Sequence, residues 1–239
     1  MNILAIGAHP DDIEESCGGT LAKYAKQGHK VFTATATNGN VGSATLPADE
    51  IAKIRKEEAR KAAALIGAEY ICLDYDDEML FEDRAVRHAF IDLVRYCQAD
   101  VILTHSPEDY NPDHELTGKI VSDIPVMIPV AKIVTPNKPC DKIPLVFYFE
   151  PVHGLGFLPT EYVDITEEME IKKAMCAQHQ SQISWMSDNY KDAIGEDQNF
   201  FDGVEIMGRF RGMQCGVKYA EGFRMAYDAF RVVPRRVLP

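Results

Sequence analysis

The chain has 239 residues, which is enough for one large α/β domain with its own hydrophobic core. Hydrophobic residues make up 46% and charged residues 26%, so the composition is that of an ordinary globular protein. A formal net charge of −12, with no long cluster of Lys and Arg, disfavours nucleic acid and anionic membrane surfaces as partners. We expect a single domain over residues 1–239.

The amino terminus and the cysteines favour a cytoplasmic protein. The chain starts without the basic region of a signal peptide, and no apolar run approaches the roughly 18 residues of a membrane span. The six cysteines are scattered, with no C-x-x-C pair. This spacing favours buried free thiols in a reducing compartment over disulfides or a thiolate metal site.

A polar turn follows the first predicted strand. Residues 2–7 are mostly apolar, and apolar residues recur at helical spacing from residue 13 onward. The segment His9-Pro-Asp-Asp-Ile-Glu14 therefore lies at the carboxyl end of a strand, where open α/β sheets bind ligands. Gly18-Gly19-Thr20 lies inside the first predicted helix without a phosphate-binding fingerprint, so we interpret its glycines as a site of close packing.

The rest of the pattern alternates strands with helices. Four such alternations predict an α/β fold with a Rossmann-like, mostly parallel sheet sandwiched by helices. A proline-rich irregular connection is expected over residues 125–144, and no order is assigned from Trp185 onward. After the first strand, further strands are predicted over residues 30–37, 69–73, 100–104 and 145–149. Helices are predicted over residues 48–66, 83–97 and 166–180, and another is predicted to begin at His114. Thr166 is the predicted N-cap of the helix over residues 166–180.

A second polar segment, His105 to His114, follows the fourth predicted strand. The carboxyl ends of parallel strands meet at one edge of a sheet, so we expect polar residues about 100 positions apart to meet there. Alone, each segment is also compatible with a capped turn or a helix N-terminus. The two segments together favour a metal site.

The residue types in the two segments fit a catalytic zinc site. Such sites use three nitrogen or oxygen ligands from the protein and keep one position for water, and His9, Asp12 and His114 are the candidate ligands. The side chain of Asp11 diverges from that of Asp12, which makes Asp11 the candidate general base beside the water. These parts together predict amide hydrolysis. Fe²⁺ or Co²⁺ are alternative occupants of a site with two histidines and one carboxylate.

The paired motifs resemble the LmbE-like (PIG-L) family of zinc-dependent de-N-acetylases. The resemblance is carried by His9-Pro-Asp-Asp-x-Glu14, the later Pro-Asp-His114, Gly18-Gly19-Thr20, Arg55-x-x-Glu58 and Ala177-x-His179-x-Ser181-Gln182. It implies the Rossmann-like LmbE-like fold, N-acetylglucosamine conjugates as substrates and a homo-oligomer as a possible assembly.

The resemblance also assigns roles to single residues. It implies that His9, Asp12 and His114 are the metal ligands and that Asp11 is the general base, in agreement with the residue types. Arg55 and Asp77 match positions that contact a sugar or its polar substituents in the family. His105 and His179 are further candidates for substrate binding.

One position departs from the family pattern. Many members have a histidine where this chain has Asn111, and that histidine stabilises the oxyanion or protonates the leaving amine. An amide donates a hydrogen bond but cannot shuttle a proton. Either Asp11 performs both proton transfers or another imidazole substitutes, with His105, His153 and His179 as candidates. The catalytic candidates are Asp11, Asn111 and Asp113.

The sequence therefore favours a zinc-dependent hydrolase that removes an N-acetyl or related acyl group from a small amino-sugar conjugate, such as an N-acetylglucosaminyl compound. The first alternative is a metal-binding family member with reduced or altered catalysis, because of Asn111. The second is a nucleotide- or sugar-binding protein without hydrolytic activity, which the missing phosphate fingerprint and the acidic charge disfavour. The expected partner is a small molecule.

Overall fold

The computed structural model describes residues 1–189, 200–226 and 238–239. Within these residues the chain forms seven strands and seven α-helices, with short 3-10 turns at Pro125–Met127 and Val152–Gly154. The strands are β1 (Asn2–Gly7), β2 (Lys30–Thr37), β3 (Glu69–Tyr75), β4 (Val101–Thr104), β5 (Leu145–Phe149), β6 (Glu161–Asp164) and β7 (Ala220–Met225). The helices are α1 (Asp12–Lys26), α2 (Ala48–Ala64), α3 (Arg84–Cys97), α4 (Pro112–Asp123), α5 (Met169–Cys176), α6 (Gln180–Asn189) and α7 (Phe200–Cys215).

All these strands form one sheet in the order β3-β2-β1-β4-β5-β7-β6. Every neighbouring pair from β3 to β5 is parallel. β7 runs antiparallel to both β5 and β6, and it comes from the part of the chain where the sequence assigned no order. The predicted mostly parallel sheet between helices is confirmed. The single-domain organisation stays a prediction.

The central strands are apolar on both faces because helices cover both sides of the sheet. In β1, Leu4 and Ile6 join the core beneath α3 and α4, whereas Ile3 and Ala5 join the core beneath α1 and α5. All four side chains are fully buried. The interior of the sheet is therefore closed to ligands, and the chemistry must take place at its edges.

The carboxyl ends of β1 and β4 bring the two polar segments together. The strands are neighbours in the register Ile6 opposite Thr104. Thr104 Oγ1 donates to the Ile6 carbonyl oxygen at 3.0 Å, and the Ala8 amide donates to His105 Nε2 at 3.0 Å. The segments after both strands start side by side, as the sequence predicts.

Helix α1 contains an internal break at Cys17, where φ is −142°. The amides of Gly19 and Thr20 donate to the Glu221 carboxylate of β7, at 3.0 and 2.7 Å. Lys172 of α5 holds the same carboxylate at 2.6 Å, and both charged side chains are buried. The break therefore behaves as a helix N-terminus that is capped by a buried ion pair.

Two predicted helix ends are wrong by two residues. Helix α2 ends two residues before the predicted end at residue 66, and Leu65 just beyond it is 44% exposed. Helix α4 begins at Pro112 rather than at His114, because Asn111 caps it with its side chain.

The helix predicted over residues 166–180 is wrong at both ends, and α5 covers only its middle. Thr166 is not the N-cap, because its hydroxyl accepts a hydrogen bond from the Tyr219 amide at 3.3 Å. After α5 the chain turns, and α6 begins as a separate helix at Gln180. His179 therefore lies on the connection between the two helices.

None of the helices in the described parts of the chain combines the length and the apolar character needed to cross a membrane. All six cysteines are free thiols. Four of them are buried, whereas Cys72 is partly buried and Cys215 is exposed.

Replacing Gly19 by Ala tests the close packing of α1. A Cβ at Gly19 would lie 2.9 Å from three side-chain atoms of Ile165. We expect this overpacking to lower the free energy of unfolding by about 1–3 kcal/mol, as measured by denaturant unfolding. Gly203→Ala in α7 is the matched control, since a Cβ added there meets no atom of the described residues within 4 Å. There the helix propensity of Ala should stabilise the protein by up to ~1 kcal/mol. Equal stabilities of the two variants would contradict the packing argument.

Candidate metal centre and active site

Three polar side chains from the two segments meet in a triangle. His9 Nδ1 lies 3.1 Å from His114 Nε2, although the two residues are 105 positions apart. The carboxylate oxygens of Asp12 lie 3.5 Å from His9 Nδ1 and 3.3 Å from His114 Nε2. The structure brings together the three residues that the sequence predicts as metal ligands.

The triangle has the dimensions of a tetrahedral metal site. Two donor atoms at about 2.1 Å from a tetrahedral cation lie roughly 3.4 Å apart. The two imidazole nitrogens are 3.1 Å apart, and the Asp12 carboxylate lies at a similar distance from each of them, with Oδ1 3.3 Å from His114 Nε2 and Oδ2 3.5 Å from His9 Nδ1. Two imidazoles and one carboxylate also match the donor types of catalytic zinc sites that keep one position open. These residues therefore fit a divalent cation.

Each histidine of the triangle is oriented by a second carboxylate. His9 Nε2 lies 3.0 Å from Asp77 Oδ1, and His114 Nδ1 lies 3.1 Å from Asp109 Oδ1. The side chains of these two carboxylates are 5% and 0% exposed. Metal-binding histidines generally offer their other ring nitrogen to such an acceptor, which fixes the orientation of the ring. The pairing is therefore typical of metal ligands held in place before the metal arrives.

Asp12 is held so that one of its oxygens faces the triangle. Its Oδ2 accepts a hydrogen bond from the His9 amide at 2.6 Å and lies 3.0 Å from His105 Nε2, whereas Oδ1 faces His114. Burial alone would raise the pKa of Asp12, but the imidazoles of His114, His105 and His9 outweigh it and hold the pKa well below its usual range. The carboxylate therefore stays ionised at neutral pH.

Asp11 has an unusual backbone conformation in the turn before α1. Its φ is +135°, in the region that favours glycine. Its side chain is 27% exposed, and Oδ2 accepts a hydrogen bond from Arg55 at 3.2 Å. Removal from water raises the pKa of Asp11, and Arg55 opposes this shift. A strained non-glycine residue in an accessible position beside the triangle points to a function of its side chain.

Arg55 and Asp77, which the sequence assigns to sugar binding, lie beneath the site. Arg55 is 4% exposed, and it donates to the Pro10 carbonyl at 2.9 Å and to Asp77 at 3.3 Å as well as to Asp11. Asp77 also contacts His9. The pair thus links the candidate base to a candidate ligand and orients both. Contact of either residue with substrate stays a prediction.

Asn111 and Asp113 hold the start of α4 and the loop beside it. Asn111 Oδ1 accepts from the amides of Asp113 and His114, at 2.8 and 3.3 Å, and Nδ2 donates to Glu78 at 3.0 Å. Asp113 is 1% exposed, and its carboxylate accepts from the amides of Glu78 and Leu80. The Asn111 side chain therefore positions His114, and the Asp113 side chain holds the loop after β3. A catalytic role for either one stays a prediction.

The other predicted histidines differ in their exposure. His105 and His179 are each 2% exposed, whereas His153 is exposed on the second 3-10 turn. The His105 ring stacks on that of His114, with centroids 3.9 Å apart. His179 Nε2 lies 3.3 Å from the Glu14 carboxylate, which outweighs the effect of burial and raises the pKa of His179. Substrate contact of His105 or His179 stays a prediction.

The segment that follows His179 is docked on α2. The amide and the hydroxyl of Ser181 donate to Glu58 at 2.8 and 2.6 Å, and Gln182 Nε2 donates to the Gly42 carbonyl at 3.0 Å. Glu58 is buried. The helix motif and the carboxyl-terminal motif of the family resemblance therefore contact each other, and they close one side of the site.

Sequence reasoning missed Asp109, whose carboxylate supports His114. Burial raises the pKa of Asp109, but His105 and His114 outweigh it and hold the pKa far below its usual range. The sequence gives only one indication that Asp109 belongs to the site, which is its position as a carboxylate within the second polar segment. Its contact depends on how the loop folds back, which no spacing rule predicts.

The fold and the donor set together define an α/β enzyme with a candidate metal centre at the carboxyl edge of its sheet. Residues 4–124 match the model of a family described as PIG-L, GlcNAc-PI de-N-acetylase. The chain belongs to this family, so the resemblance based on the motifs is confirmed, and the chain is an enzyme of the de-N-acetylase class.

Known proteins resemble the chain over most of its length. Diacetylchitobiose deacetylase of Thermococcus kodakarensis is 26% identical over 240 residues, which cover 95% of this chain and 84% of that protein. The 4-oxalmesaconate hydratase of Pseudomonas putida is 27% identical over 181 residues, which cover 72% and 70%. The solved structure of N,N'-diacetylchitobiose deacetylase from Pyrococcus horikoshii superposes with a TM-score of 0.79 at 26% identity, covering 93% of this chain and 82% of that one.

Replacing Asp109 by Asn tests the support of His114. Loss of the carboxylate acceptor should loosen the ring and weaken the affinity for Zn²⁺ by about 10–100-fold, as measured by competition with a chromophoric chelator. Glu108→Gln is the matched control, because the neighbouring Glu108 side chain is 79% exposed. Unchanged affinity in the Asp109 variant would contradict the supporting role.

Metal binding should release protons from the site. Burial lowers the pKa of His114, but Asp12 and Asp109 outweigh it and raise the pKa to about 9. The imidazole is therefore protonated at neutral pH and must lose its proton before it binds a metal. The affinity for Zn²⁺ should rise between about pH 6 and pH 9 and flatten above that range. Calorimetry in two buffers with different ionisation enthalpies counts the released protons, and an affinity independent of pH would refute this account.

Proposed function

We propose that the chain is a zinc-dependent amidohydrolase that removes an acetyl or related acyl group from the nitrogen of a small amino-sugar conjugate. The observation that carries this proposal is the triangle of His9, Asp12 and His114 with the accessible carboxylate of Asp11 beside it. Zinc is favoured over iron or cobalt because amide hydrolysis requires a Lewis acid and no change of oxidation state.

Each residue of the site has a defined task in this reaction. His9 Nδ1, His114 Nε2 and a carboxylate oxygen of Asp12 would hold the zinc ion. Zinc, when bound, supplies Lewis acidity that polarises a carbonyl and acidifies a water molecule. Asp11 accepts the proton of the attacking water, and its raised pKa brings it closer to neutral pH, where a general base works best. The hydrogen bond from Arg55 fixes the orientation of that carboxylate.

The charge of the site favours a substrate that leaves as an amine. Asp12 belongs to the triangle, and Asp11, Asp77, Asp109 and Asp113 lie around it. Arg55 is buried and already paired with Asp11 and Asp77, so these carboxylates outnumber the positive charges of Arg55 and a bound divalent cation. This surplus of negative charge stabilises the ammonium group of a product and repels anionic substrates. The family description and the similarity to diacetylchitobiose deacetylases support an N-acetylated amino sugar.

A hydratase is the second candidate, because the Pseudomonas putida relative is named 4-oxalmesaconate hydratase. Addition of water to a double bond also uses a Lewis acid and a base. A substrate with several carboxylates needs cations that are free to bind it, however. Arg55 is engaged by Asp11 and Asp77, and Lys172 is engaged by Glu221. The charge distribution of the site therefore favours hydrolysis of an amide over hydration of an anionic alkene.

The proposal is tested by acetate release from N-acetylglucosamine and its glycosides, with metal-depleted and zinc-restored protein. We expect activity only with zinc, and a loss of about 100-fold or more in Asp11→Asn, which keeps its shape but cannot accept a proton. Asp49→Asn is the surface control, because the Asp49 side chain is 79% exposed on α2.

Turnover that survives in Asp11→Asn, or in metal-depleted protein, would contradict the proposal. Hydration of 4-oxalmesaconate without acetate release from any N-acetyl sugar would favour the second candidate. Tight zinc binding with no turnover of either substrate would favour a family member with altered catalysis.

A further inference from the structure

Amide hydrolysis requires a proton donor as well as a base. An amine leaves readily only after its nitrogen has received a proton, because the amine anion is a very strong base. Asn111 cannot release a proton at neutral pH, and its side chain is already bonded to the amides of Asp113 and His114 and to Glu78. The donor is therefore either Asp11, once it holds the proton of the attacking water, or a second acid that leaves Asp11 to act as the base alone.

The buried histidines are not free to supply this proton. His105 Nε2 lies 3.0 Å from both the Ala8 amide and the Asp12 carboxylate. His179 lies against Glu14 at 3.3 Å, and both rings are 2% exposed. Because both rings are almost fully buried, a substrate nitrogen cannot reach either of them.

Glu15 lies one helical turn beyond Asp11. Its amide donates to the Asp11 carbonyl at 3.3 Å, so this bond links Glu15 to Asp11 across the first turn of α1. Glu15 is partly exposed, and no side chain in the described residues forms a hydrogen bond or an ion pair with its carboxyl group. Lys172, a neighbouring cation, is instead held by Glu221 at 2.6 Å. Glu15 is thus a partly exposed residue near the candidate base, and its carboxyl group has no side-chain partner among the described residues.

Burial and the neighbouring carboxylates favour the protonated form of Glu15. The charged and titratable groups around it are Asp11 and Asp12 at the start of α1, Tyr110 of the loop before α4, His114 of α4, and Lys172 and Cys176 of α5. Burial raises the pKa of Glu15 to about 7, and Asp11 adds to this effect while Lys172 opposes it. At neutral pH a substantial fraction of these carboxyl groups therefore carries a proton.

We propose that Glu15 is the general acid that protonates the leaving amine, an inference that rests on the amide hydrolysis proposed above. As water adds to the carbonyl carbon, the new C–O bond forms and Asp11 takes a proton from the water. As the C–N bond breaks, its electron pair goes to nitrogen, and the proton of the Glu15 carboxyl group goes to the same nitrogen. The acid and the amine leave, Asp11 releases its proton to solvent, and Glu15 takes one up.

The test compares two substrates in zinc-loaded Glu15→Gln, which keeps the size of the side chain but has no acidic proton. On an N-acetyl amino sugar, kcat should fall about 100-fold or more with little change in KM. On p-nitrophenyl acetate, whose phenolate leaves without a proton, the variant should match the wild type. Glu170→Gln is the control, because this α5 side chain is 88% exposed, and it should match the wild type on both substrates.

The pH profile gives a readout that a purely structural role would not change. The wild-type kcat on the amide should fall above about pH 7 as Glu15 loses its proton. The profile of Glu15→Gln should lack this alkaline limb. Glu15→Asp restores an acid on a shorter side chain and should recover part of the lost rate.

If Glu15→Gln lost activity equally on the amide and the ester, Glu15 would have a role in structure or metal binding, and the proposal would be overturned. An unchanged amide rate in Glu15→Gln would overturn it as well. A selective loss of amide cleavage in His153→Gln, with Glu15→Gln still active, would assign the acid to His153 and overturn it too. A wild-type protein that cleaves neither substrate would instead overturn the proposed function itself, and this inference with it.

Discussion

The parallel pairing of β1 with β4 is the constraint on which the whole site depends. The register Ile6 opposite Thr104 ends both strands at the same level, so the polar segments that follow them begin as neighbours. Both strands are buried on two faces, and a slip of one residue would exchange the side chains of those faces. The triangle of His9, Asp12 and His114 is therefore a consequence of strand pairing and not of either motif alone.

Around this triangle, charge is compensated in pairs, because an isolated charge is costly to bury. The pairs are His9 with Asp77, His114 with Asp109 and His179 with Glu14. Asp11 and Glu15 differ from the other carboxylates of the site, since no imidazole pairs with either and both keep partial exposure. We therefore assign proton transfer to the two carboxyl groups, Asp11 and Glu15, that are not paired with a histidine.

Features that depend on strand ends could be predicted from the sequence, because apolar runs locate β1 and β4 and polar residues follow each strand. Features that depend on the conformation of a loop could not. Asp77 lies 4% exposed behind His9, because Asp113 holds the loop after β3 beneath the site. The helix predicted after β6 is divided where Ser181 bonds to Glu58, which lies 123 positions away. No local pattern reports such a partner.

The contact between Glu58 and Ser181 has a consequence for the order in which the molecule is completed on the ribosome. Residues 4–124 emerge first, and β1 to β4 can already pair at that stage. Glu14 and Glu58 then lack His179 and Ser181, so two carboxylates of the nascent site have no partner. Glu14 and Glu58 gain their partners only when residues 179–182 leave the ribosomal exit tunnel. The ion pairs and hydrogen bonds around the site are therefore completed late in synthesis of the chain.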